Sequence, residues 1–135
     1  MRIERVLNAA LLLVGGAVFG TLMTFGHQAD VEVAGAVLPW GLMVALLGVT
    51  ALLVGVRLLA GRRPTIWLAA GLVSAIVVLA LPGPGGSILI PNGLAGMVWS
   101  LAPSFIAILV VLWPAPRQSR SNRTGTVEAV ERTTP

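Results

Sequence analysis

The chain contains no cysteine and no lysine, and from Arg63 to Arg117 it runs 53 residues without one charged side chain. The missing cysteine excludes disulfides, thiolate metal sites, thiol nucleophiles and iron–sulfur clusters together, and with them thiol-based, quinone-linked redox enzymes. The missing lysine leaves nine arginines as the whole basic complement, a usage that reflects a GC-rich coding genome more than any chemistry. Two further charge-free runs, Val6–Ala29 and Val33–Val56, hold 24 residues each. A bilayer core about 30 Å thick takes roughly 20 apolar residues per helix at about 1.5 Å rise. The short runs therefore predict one span each and the long run two.

What is present agrees. The chain has 135 residues, 56% of them hydrophobic and 10% charged, and a mean hydropathy of +0.93, well beyond the apolar share of soluble domains. One small membrane domain is the natural reading. The net charge of +4 does not point to nucleic acid. Its arginines flank hydrophobic runs, where they orient helices and meet anionic headgroups, and no basic patch is interleaved with stacking aromatics.

The arginines also thread the chain. Arg2 and Arg5 precede the first span, Arg57, Arg62 and Arg63 lie between the second and third, and Arg117, Arg120, Arg123 and Arg132 follow the fourth. The other two loops carry none, so the positive-inside bias places both termini in the cytoplasm. Val6–Phe25 is too long for the apolar core of a cleaved signal peptide. Breakers then set the boundaries. Pro39 suits the first turn of span two, Gly61 and Pro64 bracket the cytoplasmic turn, and Leu81-Pro82-Gly83-Pro84-Gly85-Gly86 stops span three. The expected architecture is all-α, an integral membrane four-helix bundle over residues 1–113 with spans near 6–26, 38–60, 65–81 and 93–113. After Trp113 the composition turns polar and basic, so 114–135 is expected to be a disordered cytoplasmic tail. Arg57, in the last turn of span two, is expected to snorkel toward the headgroups.

An internal echo is present. Ala36-Val37-Leu38-Pro39-Trp40-Gly41-Leu42 and Ile88-Leu89-Ile90-Pro91-Asn92-Gly93-Leu94 share three apolar residues, Pro, any residue, Gly and Leu. Each copy enters the membrane from outside. Two explanations stand equally, a duplication giving two parallel helical hairpins, or convergence on a useful helix start. Each triplet is expected to lie in the outer interface or fold back over the bundle, with Trp40 anchoring outside and Trp113 and Trp67 inside. Leu81–Gly93 together with Leu38-Pro39-Trp40-Gly41 resembles small four-span actinobacterial membrane proteins of unknown function. The resemblance covers about residues 6–113 and implies a four-span fold and a plasma-membrane address. That family has no assigned activity or functional residues to carry over.

Reactive chemistry is sparse. No ionisable residue lies at mid-depth in a span, and Val6–Phe25 lacks the acidic residue on which small proton-coupled exporters rely. His27, Gln28, Asp30 and Glu32 form the only concentrated polar group outside the tail. One histidine is too few for a zinc or bis-histidine haem site, so with Asn92 in the second loop these residues are expected to be solvated outer-loop groups. No metal or other cofactor is expected. Small residues at four-residue spacing, in Gly16-Ala17-Val18-Phe19-Gly20, Gly71-Leu72-Val73-Ser74-Ala75 and Gly96-Met97-Val98-Trp99-Ser100, mark Gly16, Gly20, Gly71 and Gly96 as helix-packing positions. Pro103 predicts a kink in span four by removing the hydrogen bond to the Trp99 carbonyl, which Ser100 or Ser104 is placed to satisfy.

These readings favour a non-enzymatic accessory, scaffold or assembly subunit of a larger membrane complex. Its partners would be membrane lipids and another membrane protein or a second copy, with no nucleic acid. The alternative is a small transporter, channel or lipid-translocating protein. A membrane enzyme fits least, because Ser74, Ser100 and Ser104 have no histidine or carboxylate at matching depth to activate them.

Overall fold

The computed structural model describes residues 2–33, 36–82 and 93–114. The loop from 83 to 92, with Asn92 and the second copy of the echo's Pro, and the tail from 115 onward, with Arg117 and Arg120, lie outside the described residues. Four helices make an all-α bundle: α1 Arg2–Gly26, α2 Trp40–Leu59, α3 Arg62–Ala80 and α4 Leu94–Leu112. All four are long and apolar enough to cross a membrane.

The boundaries follow local chemistry, with small departures from expectation. α1 begins at Arg2, because nothing in Arg2–Arg5 breaks a helix and Glu4 in the first turn complements the helix dipole. Pro39 stands one residue earlier than expected, at the N-cap of α2 rather than inside its first turn, and its carbonyl accepts the Met43 N–H at 3.3 Å. Gly61, at φ +89°, makes the tight turn between α2 and α3, a left-handed conformation that costs glycine little. α3 starts at Arg62 and absorbs Pro64 into its first turn, where the missing N–H has no intrahelical partner to lose. α4 continues through Pro103.

The first triplet of the echo is a strand. Ala36–Leu38 forms β2, which pairs antiparallel with β1 (Val31–Val33) in a two-stranded ribbon, with Val31 opposite Leu38 and Val33 opposite Ala36. Pairing satisfies backbone groups that would otherwise stay unmatched beside hydrocarbon. It also delays the start of α2 to Trp40.

Helix direction follows from end-to-end contacts. The Arg57 side chain, near the end of α2, bonds carbonyls at the end of α4, so α2 and α4 run the same way. α3 starts at the tight turn that follows α2, the end at which Arg57 meets the end of α4, so α3 and α4 are antiparallel. The bundle therefore runs up, down, up, down, with α1 parallel to α3. A core of Val49, Leu53, Leu72, Ile76 and Trp99 lies at its centre.

α1 and α3 make the most extensive contact in the molecule, and glycine permits it. A Cβ on Gly71 would fall on the backbone carbonyl of Leu13, and one on Gly16 on the carbonyl of Leu68. At Gly20 it would stand 2.8 Å from the Leu72 carbonyl oxygen. These obstacles are backbone atoms and cannot rotate away. Gly96 is buried on α4. By contrast Gly15 and Gly55 face open space.

Gly71→Ala is expected to lower stability by about 1–3 kcal/mol through overpacking, read as a lower thermal midpoint by circular dichroism in detergent. Gly55→Ala, at an open helical site, should leave it unchanged or raise it by up to about 1 kcal/mol. Equal midpoints for both variants would mean that the α1–α3 contact does not need its close approach.

Candidate functional site

The polar interior collects at the end of the bundle that carries the ribbon. Thr24, in the last turn of α1, donates its hydroxyl hydrogen to the Gly20 carbonyl at 2.8 Å and accepts the indole N–H of Trp99 at 3.2 Å. Trp99 projects from α4 and is 0% exposed. His27 lies one residue past α1, its backbone N–H still donating to the Met23 carbonyl at 2.9 Å. Its ring stacks on Trp99, with centroids 5.0 Å apart and planes inclined by 7°. Its Nδ1 meets the Thr24 carbonyl oxygen. A carbonyl can only accept, so Nδ1 carries the proton and Nε2 is the bare nitrogen of the neutral ring.

This corrects the expectation that His27 is a solvated loop residue, since it is 2% exposed. The helical ladder continues one residue past Gly26 and turns the ring inward over an indole that needs cover. Asp30 and Glu32 are exposed. Burial holds the His27 imidazolium below its ordinary value of 6.5, against smaller upward pulls from the Thr24 carbonyl and the Asp30 carboxylate.

Behind this cluster α2 closes on the turn. The Gly41 N–H donates to the Ala29 carbonyl at 2.8 Å, and a Cβ on Gly41 would meet the backbone of Gly26 and Ala29. A cavity of about 240 Å³ remains here, lined by Leu22, Met23, Gly26, Trp40, Gly41 and Val44.

At the opposite end Arg57 has a more specific task than snorkelling. Its Nε donates to the Val110 carbonyl at 3.3 Å and its Nη2 to the Trp113 carbonyl at 2.7 Å. Both acceptors lie in the last turn of α4 or just past it, where carbonyls lack intrahelical donors and the helix dipole favours a cation. Between α3 and the second half of α4 runs an apolar groove of about 370 Å³, bordered by Ile66, Ala69, Ala70, Val73, Ser104 and Ala107.

Chemically, the buried polar groups brace the bundle. The buried polar residues among those described are Thr24, His27 and Thr65, and Thr65 donates to the Gly61 carbonyl within its own helix start. Among the described residues no group of three or more His, Asp or Glu is placed to hold a metal ion. Ser100 does not serve the Trp99 carbonyl freed by Pro103, because its one hydroxyl hydrogen goes to the Gly96 carbonyl at 2.8 Å. Sequence reasoning missed Thr24 and Trp99. Depth along the helix does not set Trp99 apart, because Trp67 is likewise the sixth residue of its helix and is 46% exposed while Trp99 is buried. The chain matches no family model, no curated protein and no solved structure.

Because His27 is held neutral in the folded state below its ordinary value, the unfolded chain binds more protons as pH falls through about 6.5. Stability is therefore expected to be full above that pH and to decline below it, with His27→Phe flattening the dependence of thermal midpoint on pH. Trp99→Phe should cost about 1 kcal/mol through the lost bond to Thr24, and Trp99→Ala about 3–5 kcal/mol through the cavity, both measured by denaturation in detergent.

Proposed function

We propose that the chain is a non-enzymatic, multi-pass plasma-membrane protein with both termini in the cytoplasm, acting as an accessory, scaffold or assembly subunit of a larger membrane complex. The carrying observation is the uneven embedding of α1. Of its 25 residues it buries Gly16, Gly20 and Thr24, all on the side facing α3 and α4. Its other side exposes Leu7, Leu11, Val14, Val18, Leu22 and Phe25, a spacing of three and four residues that forms one continuous apolar stripe. A helix buried along one side, with an apolar stripe from Leu7 to Phe25 on the other, is suited to a second helix as well as to lipid. Among the described residues the buried polar groups are bonded to nearby backbone or to each other, and none is arranged as a nucleophile with a base, which supports a binding role over catalysis.

The second reading, a small transporter, channel or lipid-translocating protein, draws on the apolar groove between α3 and α4. It has less support, because the buried hydroxyls and imidazole cluster near the helix ends and supply no polar path through the middle of the bundle.

The absence of cysteine makes orientation directly testable. A single cysteine at Asp30 should react with an impermeant maleimide added to intact cells, and one at Arg62 should react only after lysis. Mild-detergent purification of the tagged chain should bring down a larger membrane protein in stoichiometric amount. Leu11→Ala with Val18→Ala should weaken that association at least tenfold while leaving helicity unchanged. A clean homo-oligomer with no partner, or loss of folding together with loss of the partner, would count against the accessory role.

A further inference from the structure

The groove between α3 and α4 stops halfway along the bundle. On α3 it runs from Ile66 to Val73, and on α4 from Ser104, the residue after Pro103, to Leu112. At about 1.5 Å per residue these stretches measure roughly 10–12 Å, close to the depth of one leaflet of a hydrocarbon core about 30 Å thick. A partner helix crossing the membrane would call for a groove along the full length of both helices. A single acyl chain calls for one leaflet. Ala69, Ala70 and Ala107 keep the groove open, since any larger side chain at those positions would fill it, and Ser104 is the one polar side chain among its lining residues.

The mouth of the groove is cationic. Arg62 and Arg63 lie four and three residues before Ile66, on the same face of α3 and one turn beyond the groove's end, and both are exposed. The Arg57 guanidinium, bonded to the Val110 and Trp113 carbonyls, lies at the same end of α4. These three are the charged residues of α2, α3 and α4. A groove for one acyl chain under a cluster of positive charge matches an anionic phospholipid, with its phosphate beside the arginines and its tail against the alanines.

We propose that the α3–α4 groove, with Arg62 and Arg63 at its mouth, is a binding site for one anionic phospholipid in the leaflet facing the arginine-rich end of the bundle. The site rests on the reading of the chain as a membrane protein. Arg62 and Arg63 select the headgroup, and the alanines admit the tail. Arg57, already engaged with α4, holds the far wall in place. An occupied groove would extend the apolar contact between α3 and α4, coupling assembly to the presence of anionic lipid.

The test uses the full chain in detergent, titrated with phosphatidylglycerol or phosphatidylcholine of the same acyl chains and read by native mass spectrometry. One phosphatidylglycerol should be retained per bundle, with at least a tenfold preference over phosphatidylcholine. Arg62→Gln with Arg63→Gln should bring that preference close to parity. Ala70→Phe, at an exposed position on the groove wall, should reduce retention of both lipids with the arginines intact. Ser104→Leu provides a second plug should the first variant lose helicity. Equal retention of the two lipids by the unmodified chain, or unchanged retention with a folded plug variant, would overturn the site. Failure of the membrane reading is separately visible, because alkaline carbonate would then release the native protein from its membranes before any lipid is added.

Discussion

The close approach of α1 to α3 is the constraint on which the rest of the molecule depends. In hydrocarbon, helices gain little from burying apolar side chains, since lipid tails are equally apolar, so association depends on packing and on how near two backbones can come. At Gly16, Gly20 and Gly71 that distance is so short that no side chain fits between the helices. α1 and α3 are separated in sequence by all of α2, and nothing local brings them together. Their seam is the largest of the contacts that join α1 and α2 to α3 and α4, and it sets the rotation of α1 that turns Thr24 toward α4.

With α1 so placed, each end of the bundle closes by a different device. At the ribbon end an aromatic sandwich does it. Trp99 needs an acceptor for its indole N–H and cover for its face, and Thr24 and His27 supply one each. The three residues involved come from the end of α1, the position just past it and the start of α4, so the contact also ties the first and last helices. At the opposite end a charge does it, with Arg57 of α2 placed on the loose carbonyls of α4. One end is thus sensitive to protonation and the other is not, because guanidinium stays charged at any physiological pH.

The two functional readings use different surfaces of this frame. The accessory role uses the outer stripe of α1, which the bundle leaves uncovered along its whole length. Lipid recognition uses the half-length groove on the opposite pair of helices. They are compatible, since one surface is continuous and uncharged and the other is short with arginines at its mouth. A small protein with few reactive groups has its capacity for specificity in such differences of shape and of where charge stands.

Much of this was legible from residue order. Charge-free runs, Pro39, Gly61 and Pro64 located four helices to within a few residues, because hydrocarbon tolerates little besides helices and breakers act locally. The glycine spacings marked candidate seams, although spacing alone could not say which helix would meet which. The ribbon at Val31–Leu38 was not legible, since its pairing depends on the path between α1 and α2 and three-residue strands leave no periodic signal. His27 was read as solvated because, in sequence, it adjoins Gln28, Asp30 and Glu32. Burial is decided by neighbours in space, and its decisive neighbour, Trp99, stands 72 residues away. The number of helices, their apolar character and their alternating direction follow from composition and chain order alone. That Gly16 meets Leu68, that Arg57 caps α4 and that His27 lies under an indole emerges from packing, because each depends on the rotation of one helix about its axis relative to another.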